Sequence, residues 1–116
     1  MELEVGMYVR TKRDGIGKII SLSIGEEDEC CFIELSKRRT GIKEHNILKA
    51  RHNIKDLIED GDYVNGEKVW DYNGKLYVGD YEYGEYLEKF EEWGIKIETI
   101  VTRECFENVS YKVEDK

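Results

Sequence analysis

Three dipeptides, Asp14-Gly15, Asn65-Gly66 and Asn73-Gly74, constrain this chain more than anything else in it. Each lies between runs rich in Val, Ile and Tyr. Asn, Asp and Gly tolerate the positive φ that a tight hairpin turn demands, so each pair marks two antiparallel strands in contact. The spacing predicts strands over 7–11 (MYVRT), 16–24 (IGKIISLSI), 29–35 (ECCFIEL), 62–64 (DYV), 68–72 (KVWDY), 75–83 (KLYVGDYEY) and 95–101 (IKIETIV). GEEDE (25–29) reads as a charged loop, 45–58 as a connector, and SYKV (110–113) as a last strand-like piece. A short helix is expected to start with Thr102 as N-cap, Glu104 sitting near the positive end of its dipole. The predicted class is therefore mainly β with one or two short helices, an α+β fold built from hairpins.

With 116 residues, 40% hydrophobic and 38% charged, the chain can bury one thin core or two very small ones. Its formal charge of −8 argues against a general nucleic-acid binder, because phosphate contacts need positive charge. The charge is unevenly spread. Residues 1–55 carry 11 Lys/Arg and 9 Asp/Glu, whereas 56–116 carry 7 and 17. Such asymmetry hints at an interaction surface. Cys30, Cys31 and Cys105 form neither a disulfide framework nor a CxxC pair, and read as strand residues of a reducing cytosol. The opening MELEVGMYVR lacks the pattern of a secretory leader, and no apolar run reaches membrane-spanning length. A cytoplasmic location is expected.

An internal echo joins Val5-Gly6-Met7-Tyr8-Val9 to Asp60-Gly61-Asp62-Tyr63-Val64. Each is Gly-x-Tyr-Val opening a strand before a Gly-centred hairpin. This opening, with Gly17-Lys18-Ile19 beginning a second strand, resembles that of small five-stranded Tudor, KOW and Src-homology-3-like barrels. The resemblance implies two barrel-like units, 1–52 and an acidic 53–116 packed on it, in preference to a single mixed sheet.

The most charged stretch is DYEYGEYLEKFEEWG (80–94), with six carboxylates, five aromatic rings and one base. Over 76–83 the period is two, which places Tyr77, Tyr81 and Tyr83 on one face. After Gly84, Tyr86, Phe90 and Trp93 fall at helical spacing beside Leu87, and Gly94 can cap, so an amphipathic helix of two to three turns is expected. Asp80, Glu82, Glu85, Glu88, Glu91 and Glu92 then form an outward acidic face with almost no compensating lysine. It is either a solvated surface or an array able to occupy a groove made for nucleic acid. Tyr81 and Tyr83 would add contact area.

A basic set, Arg10, Lys12, Arg13, Lys18, Lys37, Arg38, Arg39 and Lys43, is the competing candidate, with Tyr8 or Phe32 available for base stacking. Arg10, Arg13, Lys37, Arg38 and Arg39 are its principal members. His45 and His52 lie seven apart, one face of a helix if the connector were helical, but no third ligand completes a metal site. No nucleophile–base pairing or phosphate loop stands out, so neither enzymatic activity nor a cofactor is expected.

The segments VGMYVRTKRDGIGKI (5–19), NIKDLIEDGDYVNGEKV (53–69) and IETIVTRECFENVSYKV (97–113) together resemble small proteins of phages and prophages of Gram-positive, Clostridium-like bacteria. That resemblance omits 20–52 and 76–94 and transfers no functional residues. It implies a phage protein acting in a host bacterial cell. The function expected is a non-enzymatic inhibitor of host defence, foremost an anti-CRISPR protein placing its acidic face in the basic groove of a CRISPR effector. The alternatives are a phage module binding nucleic acid or a transcription complex through its basic face, and a sponge for a nucleotide signal bound between subunits of an oligomer, which would need a pocket.

Overall fold

A computed structural model describes residues 2–22 and 29–105. Strands β1 (Tyr8–Thr11), β2 (Ile16–Ser21), β3 (Glu29–Glu34), β4 (Arg39–Lys43) and β5 (Ile47–Arg51) form one antiparallel sheet in the order β4-β3-β2-β1-β5. Strands β6 (Tyr63–Val64), β7 (Glu67–Tyr72), β8 (Lys75–Val78), β9 (Glu85–Tyr86) and β10 (Ile100–Val101) form a second. Its order is β9-β8-β7-β6-β10. The two orders are the same: four strands meander and the fifth returns beside the first. In each, a 3-10 turn precedes the fifth strand, Glu44–Asn46 before β5 and Leu87–Lys89 before β10.

The sequence echo is a geometric one as well. Gly6 and Gly61 have φ of 95° and 93°. The Gly6 amide donates to the Ile19 carbonyl at 2.9 Å, and the Gly61 amide to Val69 at 3.0 Å. The amides of Ile19 and Val69 donate back to Met7 and Asp62, each at 2.8 Å. Tyr8 pairs with Lys18 and Tyr63 with Lys68. The repeat is thus Glu-x-Gly-x-Tyr-Val followed by a returning Lys-Ile or Lys-Val, and both valines, Val9 and Val64, are fully buried.

Each sheet has its own apolar cluster. Val9, Ile19, Cys31, Ile33 and Ile42 centre the first; Val64, Val69, Val78, Leu87 and Phe90 centre the second. Gly17 leaves room for the first, since a Cβ there would lie 2.8 Å from Ile33 Cδ1 and 3.2 Å from the Glu34 carbonyl oxygen. The predicted hairpins hold. Asn65-Gly66 and Asn73-Gly74 each form a two-residue loop with all four φ values positive. At the third, the Thr11 hydroxyl accepts from the Asp14 amide and donates to the Gly15 carbonyl. Thr102 caps the helical residues 103–105 as expected, its hydroxyl accepting from the Cys105 amide at 3.4 Å.

Several expectations fail. The strand expected over 75–83 stops at Val78, where Gly79 turns the chain with φ of 101°. No α-helix follows. Glu85–Tyr86 pairs with β8 as a strand, and the chain then makes the 3-10 turn and further turns to Gly94. The spacing that read as helical serves a single turn equally well: Leu87 and Phe90, three apart, are buried, while Trp93 is 55% exposed. Over 95–101 only Ile100–Val101 joins the ladder, because the Asn65 side chain occupies the neighbouring backbone. Its Oδ1 accepts from the amides of Glu98 and Thr99, and its Nδ2 donates to the Lys96 carbonyl. The connector contains β5, so His45 and His52 stand at opposite ends of a strand. Strands β4, β5 and β9 carry no turn marker in the sequence. Most of GEEDE and all of SYKV lie outside the described residues.

Candidate interaction surface

The acidic residues sit on the β8–β9 loop, β9 and the turns after it. Asp80, Glu82, Glu85, Glu88, Glu91 and Glu92 are all exposed. Two are near bases: Glu92 lies 3.3 Å from Lys89 Nζ, and Glu91 lies 4.0 Å from Lys55 Nζ. The Asp80 side chain accepts from the Glu82 amide at 3.3 Å, which orders the loop tip. The ridge is therefore an irregular acidic edge of the second sheet, not one helix face.

Beside it runs a stack of rings. The two-residue loop at Asn73-Gly74 sets Trp70 opposite Tyr77, and β9 sets Tyr86 beside Tyr77. Centroids are 4.8 Å apart for Trp70 and Tyr77, which are nearly parallel at 18°, and 5.4 Å for Tyr77 and Tyr86. Tyr81 folds back from the loop to lie 4.7 Å from Trp70. The Trp70 indole donates to the Gly79 carbonyl at 2.7 Å, tying loop to strand. Gly84 lies against the same ring, where a Cβ would come within 3.0 Å of Trp70 and 2.5 Å of the Asp80 carbonyl oxygen. Tyr81 and Tyr83 were expected on one strand face with Tyr77; they stand instead on the loop, 82% and 79% exposed, and only Tyr81 joins the stack. Trp70 and Tyr86 were missed as surface residues. Their signal was present, since a two-residue loop at 73–74 fixes the pairing of 70 with 77.

The basic set is split: Arg13, Lys37, Arg38 and Arg39 are exposed, with the Arg38–Asp14 pair bringing the 37–39 turn to the 11–15 hairpin, whereas Arg10 lies inside. Arg10 is fully buried, not displayed. Its guanidinium meets both oxygens of Asp62, Nη2 to Oδ1 at 2.7 Å and Nη1 to Oδ2, donates to the Leu57 carbonyl at 2.9 Å, and reaches Glu104 at 2.6 Å. Burial opposes its charge, but the hydrogen bonds to Asp62 and Glu104 outweigh that and hold it firmly protonated. Arg38 pairs with Asp14, and Arg39 lies 3.5 Å from Glu34. Arg13 and Lys37 are exposed. Of the stacking candidates, Tyr8 has Lys18 Nζ 5.8 Å from its ring, and Phe32 is 39% exposed.

A groove of about 490 Å³ lies between the halves, walled by Ile16, Leu35 and Ile54 on one side and 97–102 on the other. Asp14 and Glu98 line it, and among the described residues no Lys or Arg does. Among the described residues no group of three or more His, Cys, Asp or Glu is placed to hold a metal, and no helix is long and apolar enough to cross a membrane. No family model, curated protein or solved structure matches the chain.

Proposed function

We propose that this chain is a phage-encoded, non-enzymatic inhibitor that presents its acidic edge to a basic nucleic-acid groove of a host defence protein, foremost a CRISPR effector. One observation carries the reading: six exposed carboxylates follow one another from Asp80 to Glu92, with Lys89 the single base among them. Such an array raises a negative field that attracts a basic partner and competes with phosphates for it. The phage and Src-homology-3-like assignments rest on the sequence motifs; the repeated strand order, with its 3-10 turn before the fifth strand, supports two barrel-like units.

The alternative reading, nucleic-acid binding through the basic side, keeps Arg13 and Lys37 exposed but loses one of its principal residues to the interior. Arg10 is enclosed, and Arg38 and Arg39 are engaged by the chain's own carboxylates. A nucleotide sponge would hold its ligand between subunits; within one chain, the described residues that line the groove between the halves include no cation.

The test is inhibition of a purified effector's cleavage of target DNA by the protein and by its Glu85→Gln, Glu88→Gln, Glu92→Gln variant. These three residues are exposed, so the variant keeps the fold. Inhibition should fall steeply and its salt dependence flatten. Undiminished inhibition by the variant would exclude the acidic edge as the working surface.

A further inference from the structure

The ring stack has two ends, and they differ. At one end Lys75 Nζ stands 5.6 Å from the centroid of Tyr86, so the chain supplies its own cation there. At the other end Tyr81 rests on Trp70, is 82% exposed, and is flanked in sequence by Asp80 and Glu82. That end has a ring between two acidic chain neighbours, and among the described residues no cation lies over it.

Building on the acidic-edge reading, we infer that the Tyr81 end of the stack seats an arginine side chain of the basic partner. A guanidinium is flat, stacks on an aromatic face and keeps its N–H edges free to reach carboxylates in its own plane. An ammonium offers a point charge without the flat face. The site asks for the former: an exposed ring backed by Trp70, with acidic residues on both sides of it in the chain. The backing ring is also held in place. Trp70 is fixed by its bond to the Gly79 carbonyl, and Gly84 allows the loop to close on it. Little order then has to be gained on binding. A nucleobase would find the same ring, but its phosphates would lie among Asp80, Glu82 and Glu85 and be repelled.

The experiment titrates the intact protein with an oligo-arginine peptide, an oligo-lysine peptide of equal length and single-stranded oligothymidylate. Affinity is read by fluorescence anisotropy, and the Trp70 indole N–H resonance by NMR, assigned with Trp93→Phe. The arginine peptide should bind about five- to tenfold more tightly than the lysine peptide and shift the Trp70 resonance. Tyr81→Ala should bring the two peptides to equal affinity, and Tyr81→Phe should keep the preference. Equal binding of both peptides by the unaltered protein, or a preference that survives Tyr81→Ala, overturns the inference while leaving the acidic-edge reading intact. Binding of neither peptide overturns both. A Trp70 shift produced by oligothymidylate, but not by the arginine peptide, overturns it in favour of a nucleic acid.

Discussion

Asp62 accepts four hydrogen bonds in a site sealed from solvent. Two come from Arg10, one from the Glu59 amide at 2.7 Å and one from the Arg103 amide at 2.9 Å. In the first copy of the repeat its place is taken by Met7, whose sulfur takes the Glu4 amide at 3.3 Å. One turn position thus closes its own loop in both halves, and in the second also receives a charge from the first. Cys31 shows the opposite use of burial. Fully buried, with Cys30 beside it, its thiol is pushed up to about 12 from an ordinary 9.0. A pKa raised on folding contributes stability below the unfolded value and loses it as pH climbs toward the folded one. Unfolding free energy should therefore fall between about pH 9 and 12, more steeply than in Cys31→Ala, as urea titrations across that range would show. Nothing in the sequence around Arg10 distinguished it from its basic neighbours, because its partners stand 52 and 94 positions away. Local reading saw only a charge in a basic hairpin.

Elements with a local chemical marker were legible. Asn65-Gly66 and Asn73-Gly74 fixed two loops to the residue, and Thr102 its helix start, because positive φ and capping need particular side chains at particular places. Asn73 has φ of 55° and is exposed, so Asn73→Ala should cost about 1 kcal/mol in thermal or chemical unfolding, whereas Asn73→Gly should cost little. Stretch 80–94 was not legible as built. Its apolar residues fit helix spacing, yet Gly79 and Gly84 let the chain turn twice and return Tyr86 to β8. The segment 96–99 was missed for another reason: one side chain, Asn65, replaces a strand's worth of backbone pairing. The acidic residues were rightly singled out as exposed, but the rings beside them belong to a cross-strand stack that only the hairpin register reveals.

The two sheets have separate apolar clusters, and Arg10 ties them together through Asp62, Glu104 and the Leu57 carbonyl. Asp62→Ala takes from the enclosed Arg10 its bidentate partner while Glu104 and the Leu57 carbonyl remain, so it should cost about 3 kcal/mol, the low end for a broken buried pair. Calorimetry should show a single cooperative transition for the unaltered chain, and in Asp62→Ala a lower, broader one as the halves uncouple. The uneven charge seen in composition survives folding only in part. Arg10 is spent on the acidic half, which leaves the edge at 80–92 facing outward with its field largely intact.

Arg10 and Glu104 also set an order in time. A ribosome makes the arginine early and its second carboxylate 94 residues later. The first sheet can pair its strands meanwhile, but Arg10 must stay hydrated until Asp62 and then Glu104 emerge. On the ribosome its desolvation thus cannot precede the synthesis of those two carboxylates. A nascent chain stalled before residue 62 would keep a wet, open seam where the finished protein is closed.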